Sequence, residues 1–172
     1  MELDNVRTVF IGEPTPIITV NKKRVITNEN RWKKTINTAD LEFFNQHLLL
    51  QSSAGAKKTI AVREIKRKLD GYRAQDQKKG WLRSDTFADV AFVVDALEQS
   101  QYICFYCKQS IKILYETPRD PRQWTLERIA NDQGHNKDNV VISCLSCNIR
   151  RRTMYHEKYR FTRQIKFEKQ VV

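Results

Sequence analysis

Apolar side chains recur at helical spacing in three stretches of the first hundred residues, and this pattern predicts three amphipathic helices. The first helix follows Thr38 or Asp40, either of which can act as its cap. The second spans residues 59–75, and the third begins after Ser84 or Asp85. The three apolar stripes consist of Leu41, Phe44 and Leu48, of Val62, Ile65, Leu69 and Tyr72, and of Phe87, Val90, Ala91, Val94 and Leu97. We interpret these stripes as core positions.

After residue 100 the pattern changes from helical spacing to short runs that are typical of strands. Residues 111–116 form a β-rich run, and residues 124–129 alternate between apolar and polar side chains as a strand does. Residues 140–143 are apolar and predict a short buried strand. A polar loop that contains Gly134 joins the last two runs, and we expect one helix over residues 144–159.

Together these elements predict an α+β fold. Residues 1–100 form a mainly helical, basic portion whose role the pattern leaves open, and residues 101–172 form a strand–loop–strand–helix portion. Only the short stretch from Gln99 to Tyr102 lies between the last predicted helix and the first cysteine. We therefore expect one compact unit rather than two separate domains.

The four cysteines of the chain form two Cys-x-x-Cys pairs, Cys104 with Cys107 and Cys144 with Cys147. Each pair can direct two thiolates at one ion, and two pairs complete a closed tetrahedral zinc site. A thioredoxin-like redox pair is the alternative, but two pairs in one short chain argue against it. A closed site has no position for substrate, so this zinc is expected to stabilise the fold and not to catalyse.

The chain carries a net charge of +11 and has a pI of about 9.6. Such an excess favours a polyanionic partner, most commonly nucleic acid, because the positive side chains are clustered. One cluster lies on the second predicted helix and one follows the last cysteine. The residues predicted to contact nucleic acid are Arg63, Lys66, Arg67, Arg150, Arg151 and Arg152. The alternative is a solvated face without a partner.

No apolar run approaches the length of a membrane span, and the first residues lack the pattern of a secretory signal. We therefore expect an intracellular protein, cytoplasmic or nuclear, that has no membrane partner. Clustering of all four cysteines in one region agrees with zinc binding in a reducing compartment, because a secreted disulfide scaffold would usually scatter them.

Two oxygen-bearing side chains flank the second strand. Glu127 lies at the end of the first strand, and Asn148 follows the last cysteine on the first turn of the helix. If strand and helix pack together, a carboxylate and an amide oxygen can face one point, which suits Mg²⁺ or a similar ion. Arg128 and the arginines at 150–152 offer phosphate contacts beside that point. His135 is the histidine of the intervening loop.

The order Glu-Arg, Gly-His, Asp-Asn and Cys-x-x-Cys-Asn resembles the HNH endonuclease family and its ββα-metal fold. The similarity covers the stretch from Cys104 to about Arg152 and is carried by QWTLERI, GHNKDN, VVISC and CN. The subgroup with two zinc-binding cysteine pairs, which includes phage recombination endonuclease VII, is the most similar. Small HNH proteins of phages and of large DNA viruses are similar too, so the resemblance implies a viral origin for the chain.

The resemblance implies a zinc-stabilised ββα-metal module, followed by a basic C-terminal helix, that hydrolyses phosphodiester bonds in DNA. Glu127 stands where the family has its metal-binding Asp, and Asn148 would be the second protein ligand of a catalytic Mg²⁺ or Mn²⁺ ion. Asn139 matches the middle Asn, which orients the base or holds the loop. Residues 1–100 lie outside the resemblance.

Arg128 stands where most family members carry the general-base His. An arginine does not accept a proton at ordinary pH, so Arg128 would instead neutralise charge on the phosphate. His135 is then the first candidate for the general base. The further candidates for the base are Tyr115, Tyr155 and His156.

Each of these residues also has a structural interpretation. Glu127 can pair with a neighbouring Lys or Arg, and Asn148 can make a polar contact at the start of its helix. His135 and Asn139 can hold their loop. These alternatives favour an inactive HNH-fold zinc protein that binds nucleic acid or serves as a structural component. RNA instead of DNA, and a homodimer, stay open.

The C-terminal tail interleaves Arg and Lys with aromatic side chains, which are Tyr155, Tyr159, Phe161 and Phe167. Basic heads on aromatic bodies suit two arrangements. The rings can pack on the N-terminal helices, or the tail can lie along a nucleic-acid backbone. The pattern does not separate the two.

Overall fold

The computed structural model describes residues 56–165 together with Ile36, Asn37, Leu41 and Asn45; for residues 56–58 only the backbone is described. Its elements are α1 (Ala56–Lys79), α2 (Val90–Gln99), β1 (Trp124–Arg128), β2 (Val140–Cys144), α3 (Leu145–Arg151) and α4 (His156–Gln164). This mixture confirms the predicted α+β class. The first predicted helix lies outside the described residues except for Leu41 and Asn45, which are both helical.

Helix α1 confirms the second predicted helix and extends it at both ends. It ends in two backbone bonds of the Schellman type, from Gly80 N to Gln77 O (3.1 Å) and from Trp81 N to Asp76 O (2.9 Å). Gly80 has a φ of +70°, a conformation that glycine adopts without a steric cost. The turn sends the chain back toward the sheet immediately after the helix.

Helix α2 begins at Val90, later than the predicted start after Ser84 or Asp85. Asp89 is the N-cap, and its carboxylate accepts a hydrogen bond from Phe92 N at 2.8 Å. Leu97 of the predicted stripe is buried, together with Val93, which the stripe did not include. Ala91 of the stripe is exposed. Phe87 is buried as well, but it precedes the helix.

Strands β1 and β2 form an antiparallel pair, in which Trp124 lies opposite Cys144 and Glu127 lies opposite Val141. Both strands lie where the sequence predicted them. The third predicted run, residues 111–116, forms no strand beyond an isolated bridge between Lys112 and Gln123.

In the middle of residues 111–116, the backbone is satisfied by a side chain instead of a partner strand. The Asn45 Oδ1 atom accepts hydrogen bonds from Ile113 N (2.8 Å) and Leu114 N (2.9 Å), and its Nδ2 donates to Leu114 O (3.0 Å). Since one amide group takes up these backbone groups, no ladder is needed there. Asn45 also joins the N-terminal portion to the cysteine region.

The single helix predicted over residues 144–159 is wrong, because the chain breaks it into α3 and α4. Arg152 follows α3 with a φ of +51°. The turn is held from both sides: Arg151 Nη1 donates to Met154 O at 2.7 Å, and Asn131 Nδ2 donates to Arg152 O at 2.9 Å. These contacts redirect the chain so that α4 packs against the first cysteine pair.

Helix α1 covers the free edge of β1. The Leu126 amide donates to Tyr72 Oη at 3.2 Å, and Lys68 Nζ donates to Trp124 O. A covered edge cannot pair with another strand, and its backbone groups stay satisfied. The core continues from Ile65 on α1 to Leu126 on β1, so the helical portion and the cysteine region share one core.

Because Lys68 is partly buried, we expect the free energy of unfolding to rise with pH. Burial, and then the nearby Arg67, lower the pKa of Lys68 to about 7 in the folded protein, whereas an unfolded lysine titrates near pH 10.4. Between these values the unfolded chain binds more protons, so stability increases as pH rises. We expect Lys68→Met to reduce this increase in urea unfolding measured at about pH 7 and about pH 9. Lys66→Met, at an exposed position, is the control; equal slopes in all three proteins would contradict the prediction.

Candidate functional site

The four cysteines lie together, as their spacing predicted. One ligand atom from each of Cys104, Cys107, Cys144 and Cys147 lies within 4.8 Å of the others. The Cys107 and Cys144 Sγ atoms are 3.9 Å apart, close to the separation of about 3.8 Å that a tetrahedral site with 2.3 Å Zn–S bonds requires. The arrangement is compatible with a structural zinc ion.

Backbone amides point at two of the sulfurs. Cys144 N donates to Cys104 Sγ at 3.3 Å, and Cys147 N donates to Cys144 Sγ at 3.4 Å. Hydrogen bonds from the Cys144 thiol, then from the Cys147 thiol, lower the pKa of Cys104. The same hydrogen bonds to Cys104 raise the pKa of Cys144 and of Cys147. These two thiols therefore become thiolates, the form that binds zinc, when the ion displaces their protons. Cys144 is also the last residue of β2 and the N-cap of α3, so the cysteine cluster joins strand and helix directly.

Helix α4 packs against the first cysteine pair. Gln164 Nε2 donates to Phe105 O (3.1 Å) and to Tyr106 O (3.0 Å). The buried Tyr159 ring meets the Tyr106 ring edge-on, with centroids 5.0 Å apart. Of the aromatic residues in the predicted tail, Tyr159 therefore packs inside, and Phe167 lies outside the described residues.

Glu127 and Asn148 enter the same interface between β1 and α3. Thr125 and Glu127 share one face of the strand because side chains alternate, and residues three apart share one face of the helix. Asn148 Nδ2 donates to Thr125 Oγ1 at 3.3 Å, while Arg151 Nε donates to Glu127 Oε1 at 2.5 Å. The strand thus presents Glu127 toward the helix face that carries Asn148.

Arg151 differs from its prediction as a nucleic-acid contact. Its side chain is buried, with the whole residue 2% exposed, and its guanidinium donates to Glu127, to Arg128 O (2.6 Å), to Asn131 Oδ1 (2.7 Å) and to Met154 O (2.7 Å). A guanidinium engaged in this way has no surface for a phosphate. The prediction is therefore corrected for Arg151. It lies three residues after Asn148, on the helix face that packs against β1, so its side chain is buried. Arg150 and Arg152 are exposed.

The Glu127 carboxylate is correspondingly buried, with 5% of the residue exposed. Burial raises its pKa, and the hydrogen bond and charge of Arg151 act in the opposite direction. Of its two oxygens, Oε1 accepts the Arg151 bond. The structural alternative for Glu127, a pair with an arginine, is therefore present in the fold, although the partner comes from the helix and not from the strand.

His135 is buried in the loop between the strands, and Asp76 of α1 holds it. Its Nδ1 lies 2.9 Å from Asp76 Oδ1, its backbone N donates to Asp76 Oδ2 at 2.6 Å, and its ring lies 4.4 Å from the Tyr72 ring. Burial lowers its pKa and thereby favours the neutral ring, although the charge of Asp76 acts in the opposite direction. A neutral ring that donates from Nδ1 to Asp76 keeps its accepting lone pair on Nε2.

Asp76 was missed by sequence reasoning. It lies 59 residues before His135, and no local pattern marks a helical Asp as the partner of a distant loop. Gly134 reflects the same close packing: a Cβ atom there would lie 2.6 Å from Trp81 O and 3.0 Å from Asp76 Oδ2. Only glycine fits such an approach without displacing the backbone.

Asn139 holds the loop between the strands. Its Oδ1 accepts from Ala130 N (2.9 Å), and its Nδ2 donates to Ala130 O (3.1 Å) and to Gly134 O (2.9 Å). Because both ends of the amide are engaged with backbone, the second of its two predicted roles, holding the loop, agrees with the geometry.

Arg128 lies half-buried on the other side of the same loop. Its guanidinium is 5.1 Å from the Trp81 ring, and Nη1 donates to Gln133 O at 3.0 Å. Lys79 Nζ lies 4.3 Å from the same ring. The two cations and the indole form a basic aromatic cluster next to the strand end that carries Glu127.

The remaining predicted residues lie on α1, around α4 and in the run of residues 111–116. On α1, Lys66 pairs with Asp70 at 3.1 Å and Arg67 pairs with Glu64 at 2.6 Å, both on the exposed surface beside Arg63. Among the other candidates for the base, Tyr155 is exposed, His156 packs near Phe105 with ring centroids 6.4 Å apart, and Tyr115 lies 5.0 Å from Lys68 Nζ.

No protein-family model, curated protein or solved structure matches the chain. Within the described part of the chain, no helix is both long enough and apolar enough to cross a membrane. Among those same residues, the four cysteines are the one group of three or more His, Cys, Asp or Glu side chains close enough to hold a metal ion. Function must accordingly be inferred from the residues and their geometry.

Proposed function

We propose that the chain is a metal-dependent endonuclease of the HNH type, which hydrolyses phosphodiester bonds in DNA and carries a structural zinc ion. The observation that carries this proposal is the interface that Glu127 and Asn148 share. Glu127 enters it from β1, and Asn148 enters it from α3, immediately after the second cysteine pair. The basic charge of the chain supports a polyanionic substrate.

The oxygen atoms of Asn148 and Glu127 fit a hard divalent ion, whereas the neighbouring Arg151 does not. Asn148 uses its Nδ2 toward Thr125, which leaves its carbonyl oxygen as a ligand, and Glu127 keeps its second carboxylate oxygen. One carboxylate and one amide oxygen suit Mg²⁺ or Mn²⁺, which retain several waters. When bound, the ion supplies charge stabilisation at the leaving oxygen. The Arg151 guanidinium opposes binding because it already neutralises Glu127.

His135 serves as the base in this proposal, and Asp76 positions it. The Nδ1 contact with Asp76 fixes the tautomer, so Nε2 is the nitrogen that takes a proton from water. Arg128 provides a guanidinium for the phosphate, because it is only half-buried and its contacts use one of its terminal nitrogens. Asn139 acts indirectly, by holding the loop that carries His135.

We expect Asn148→Ala to lower plasmid cleavage by at least about 100-fold, the scale for removing a group that stabilises charge in the transition state. The measurement is nicking of supercoiled plasmid by zinc-loaded protein, with added Mg²⁺ or Mn²⁺ and without either. A chelator is avoided because it would also remove zinc.

Ser146→Ala is the matched control. Residue 146 lies on the same helix, α3, close to the second cysteine pair, but about 200° around the helix from residue 148. It should keep wild-type cleavage and zinc content. Cleavage by Asn148→Ala at the wild-type rate, with zinc bound in both proteins, would overturn the role of Asn148. Absence of divalent-dependent nicking in the wild type would overturn the nuclease.

A second candidate is a zinc-stabilised nucleic-acid-binding protein that does not cleave. The bond from Arg151 to Glu127 favours it, because a cation already occupies one carboxylate oxygen. Arg128 favours it as well, since the side chain beside Glu127 cannot act as a base. This candidate expects salt-sensitive DNA binding with no nicking under any divalent ion, and the plasmid assay separates it from the nuclease.

A further inference from the structure

The exposed large apolar side chains of the described chain are concentrated between residues 149 and 165. Tyr155 and Phe161 are each 68% exposed, and the others are Ile149, Met154 and Ile165. Tyr155 directly precedes α4 and Ile165 directly follows it, while Lys158 and Phe161 are three apart within the helix and share one side of it. We call Tyr155, Lys158, Phe161 and Ile165 the α4 outer face.

Unpaired positive charge lies on this face and in the segment that directly precedes it. The segment from Ile149 to Ile165 contains six Lys and Arg residues and a single Glu. Arg160 pairs with that Glu157 at 2.7 Å, and Arg151 is buried against Glu127. Arg150, Arg152 and Lys158 are exposed and form none of the ion pairs found within the described residues. The outer face therefore complements a polyanion.

A second copy of the chain is a poor match for the same surface. A two-fold interface places each patch against itself, so Lys158 and its neighbouring arginines would face their own copies without acidic partners. Like charges across an interface disfavour association. Single-stranded nucleic acid matches both features of the face. It offers phosphates that the cations can bind and open base faces on which the rings can stack.

We propose that the α4 outer face binds single-stranded DNA, with bases stacking on Tyr155 and Phe161 and phosphates contacting Arg150, Arg152 and Lys158. The inference rests on the proposed nuclease function and narrows its substrate to DNA that has unpaired bases. Bases in an intact duplex are stacked on one another and expose only their edges, in the grooves, so no base face is open to a side-chain ring.

The buried Arg151 connects this face to the candidate catalytic site. Its guanidinium bonds Met154 O, which directly precedes Tyr155, and also Glu127 Oε1 and Arg128 O. One side chain thus fixes the start of the outer face and the carboxylate proposed to bind the catalytic ion. Tyr155 therefore follows directly a residue that Arg151 links to Glu127.

The test measures the affinity of the full-length, zinc-loaded protein for a labelled oligothymidylate and for a duplex of equal length, by fluorescence anisotropy without Mg²⁺ or Mn²⁺. Tyr155→Ala/Phe161→Ala is expected to weaken single-strand binding by roughly tenfold or more, the scale of losing a stacked base, and to change duplex binding by less than about twofold. Tyr155→Phe/Phe161→Tyr keeps both rings and should bind as the wild type does.

Three results would overturn the proposal: unchanged single-strand binding in the double alanine variant, an equal loss for duplex and single strand, or a wild-type dimer in sedimentation that the variant abolishes. Both rings are exposed, so the variants should keep their zinc and their fold, which zinc content and circular dichroism verify. Because binding is measured without a divalent ion, its failure is distinct from failure of cleavage in the plasmid assay.

Discussion

When the four-cysteine cluster is loaded with zinc, removal of that zinc is expected to unfold the region from Cys104 to α4, with the largest effect of any change considered for this protein. Structural zinc contributes on the order of 10 kcal/mol to the folding of small zinc-binding modules, as much as the whole stability of a typical domain. Cys144 concentrates this dependence, because it ends β2, caps α3 and lies in the cysteine cluster. Replacing Cys144 by Ser should have the same effect as chelation.

The measurement is circular dichroism and thermal unfolding during titration with a zinc chelator, with released zinc quantified by a colorimetric indicator. The circular dichroism signal should fall by the share that β1, β2, α3 and α4 contribute as zinc leaves, and it should return when zinc is added back. Ser146→Ala, between the cysteines of the second pair, is the control and should bind one zinc with unchanged stability. A chelated protein that still unfolds cooperatively at the original temperature would show that the cysteines do not form a structural site.

Breaking the pair between Glu127 and Arg151 is expected to destabilise the fold by about 3–5 kcal/mol, the cost of leaving one buried charge without its partner. Arg151→Met removes the guanidinium but keeps most of the side-chain volume. It also removes the bonds to Arg128 O, Asn131 and Met154 O, which hold the turn between α3 and α4. Urea unfolding of the zinc-loaded protein measures the loss.

A double-variant cycle separates the pair from the turn. Adding Glu127→Gln to Arg151→Met removes the uncompensated carboxylate, so the double variant should be more stable than Arg151→Met alone. Arg150→Met, one residue earlier and exposed, is the control and should stay within about 0.5 kcal/mol of the wild type. If Arg151→Met behaves like Arg150→Met, then Arg151 is not a buried partner of Glu127.

The elements that local pattern determines were largely predictable. Helix α1 contains the predicted range of residues 59–75, and strands β1 and β2 lie where the alternating and apolar runs placed them. The spacing of the cysteines predicted their cluster. Each of these features depends on side chains a few positions apart, where the 3.6-residue helical period, the two-residue strand period and the Cys-x-x-Cys turn act directly.

The predictions that failed depend on contacts from elsewhere in the chain. Residues 111–116 have β character, but Asn45 takes up the backbone groups of Ile113 and Leu114 within that range. The helix expected over residues 144–159 has sufficient propensity, but Arg151 and Asn131 hold a turn within it. In both cases a side-chain hydrogen bond satisfies the backbone in place of regular structure.

By itself, the sequence determined the α+β class, the positions of α1, β1 and β2, the cysteine cluster and the basic character, because periodicity, spacing and charge are properties of neighbouring residues. Only the tertiary structure decided that Asp76 holds His135 across 59 positions and that Arg151, not Arg150 or Arg152, is buried against Glu127 across 24 positions. Three consecutive arginines are equivalent in sequence. They become different only when packing places one of them toward the strand, where burying its charge requires a carboxylate partner.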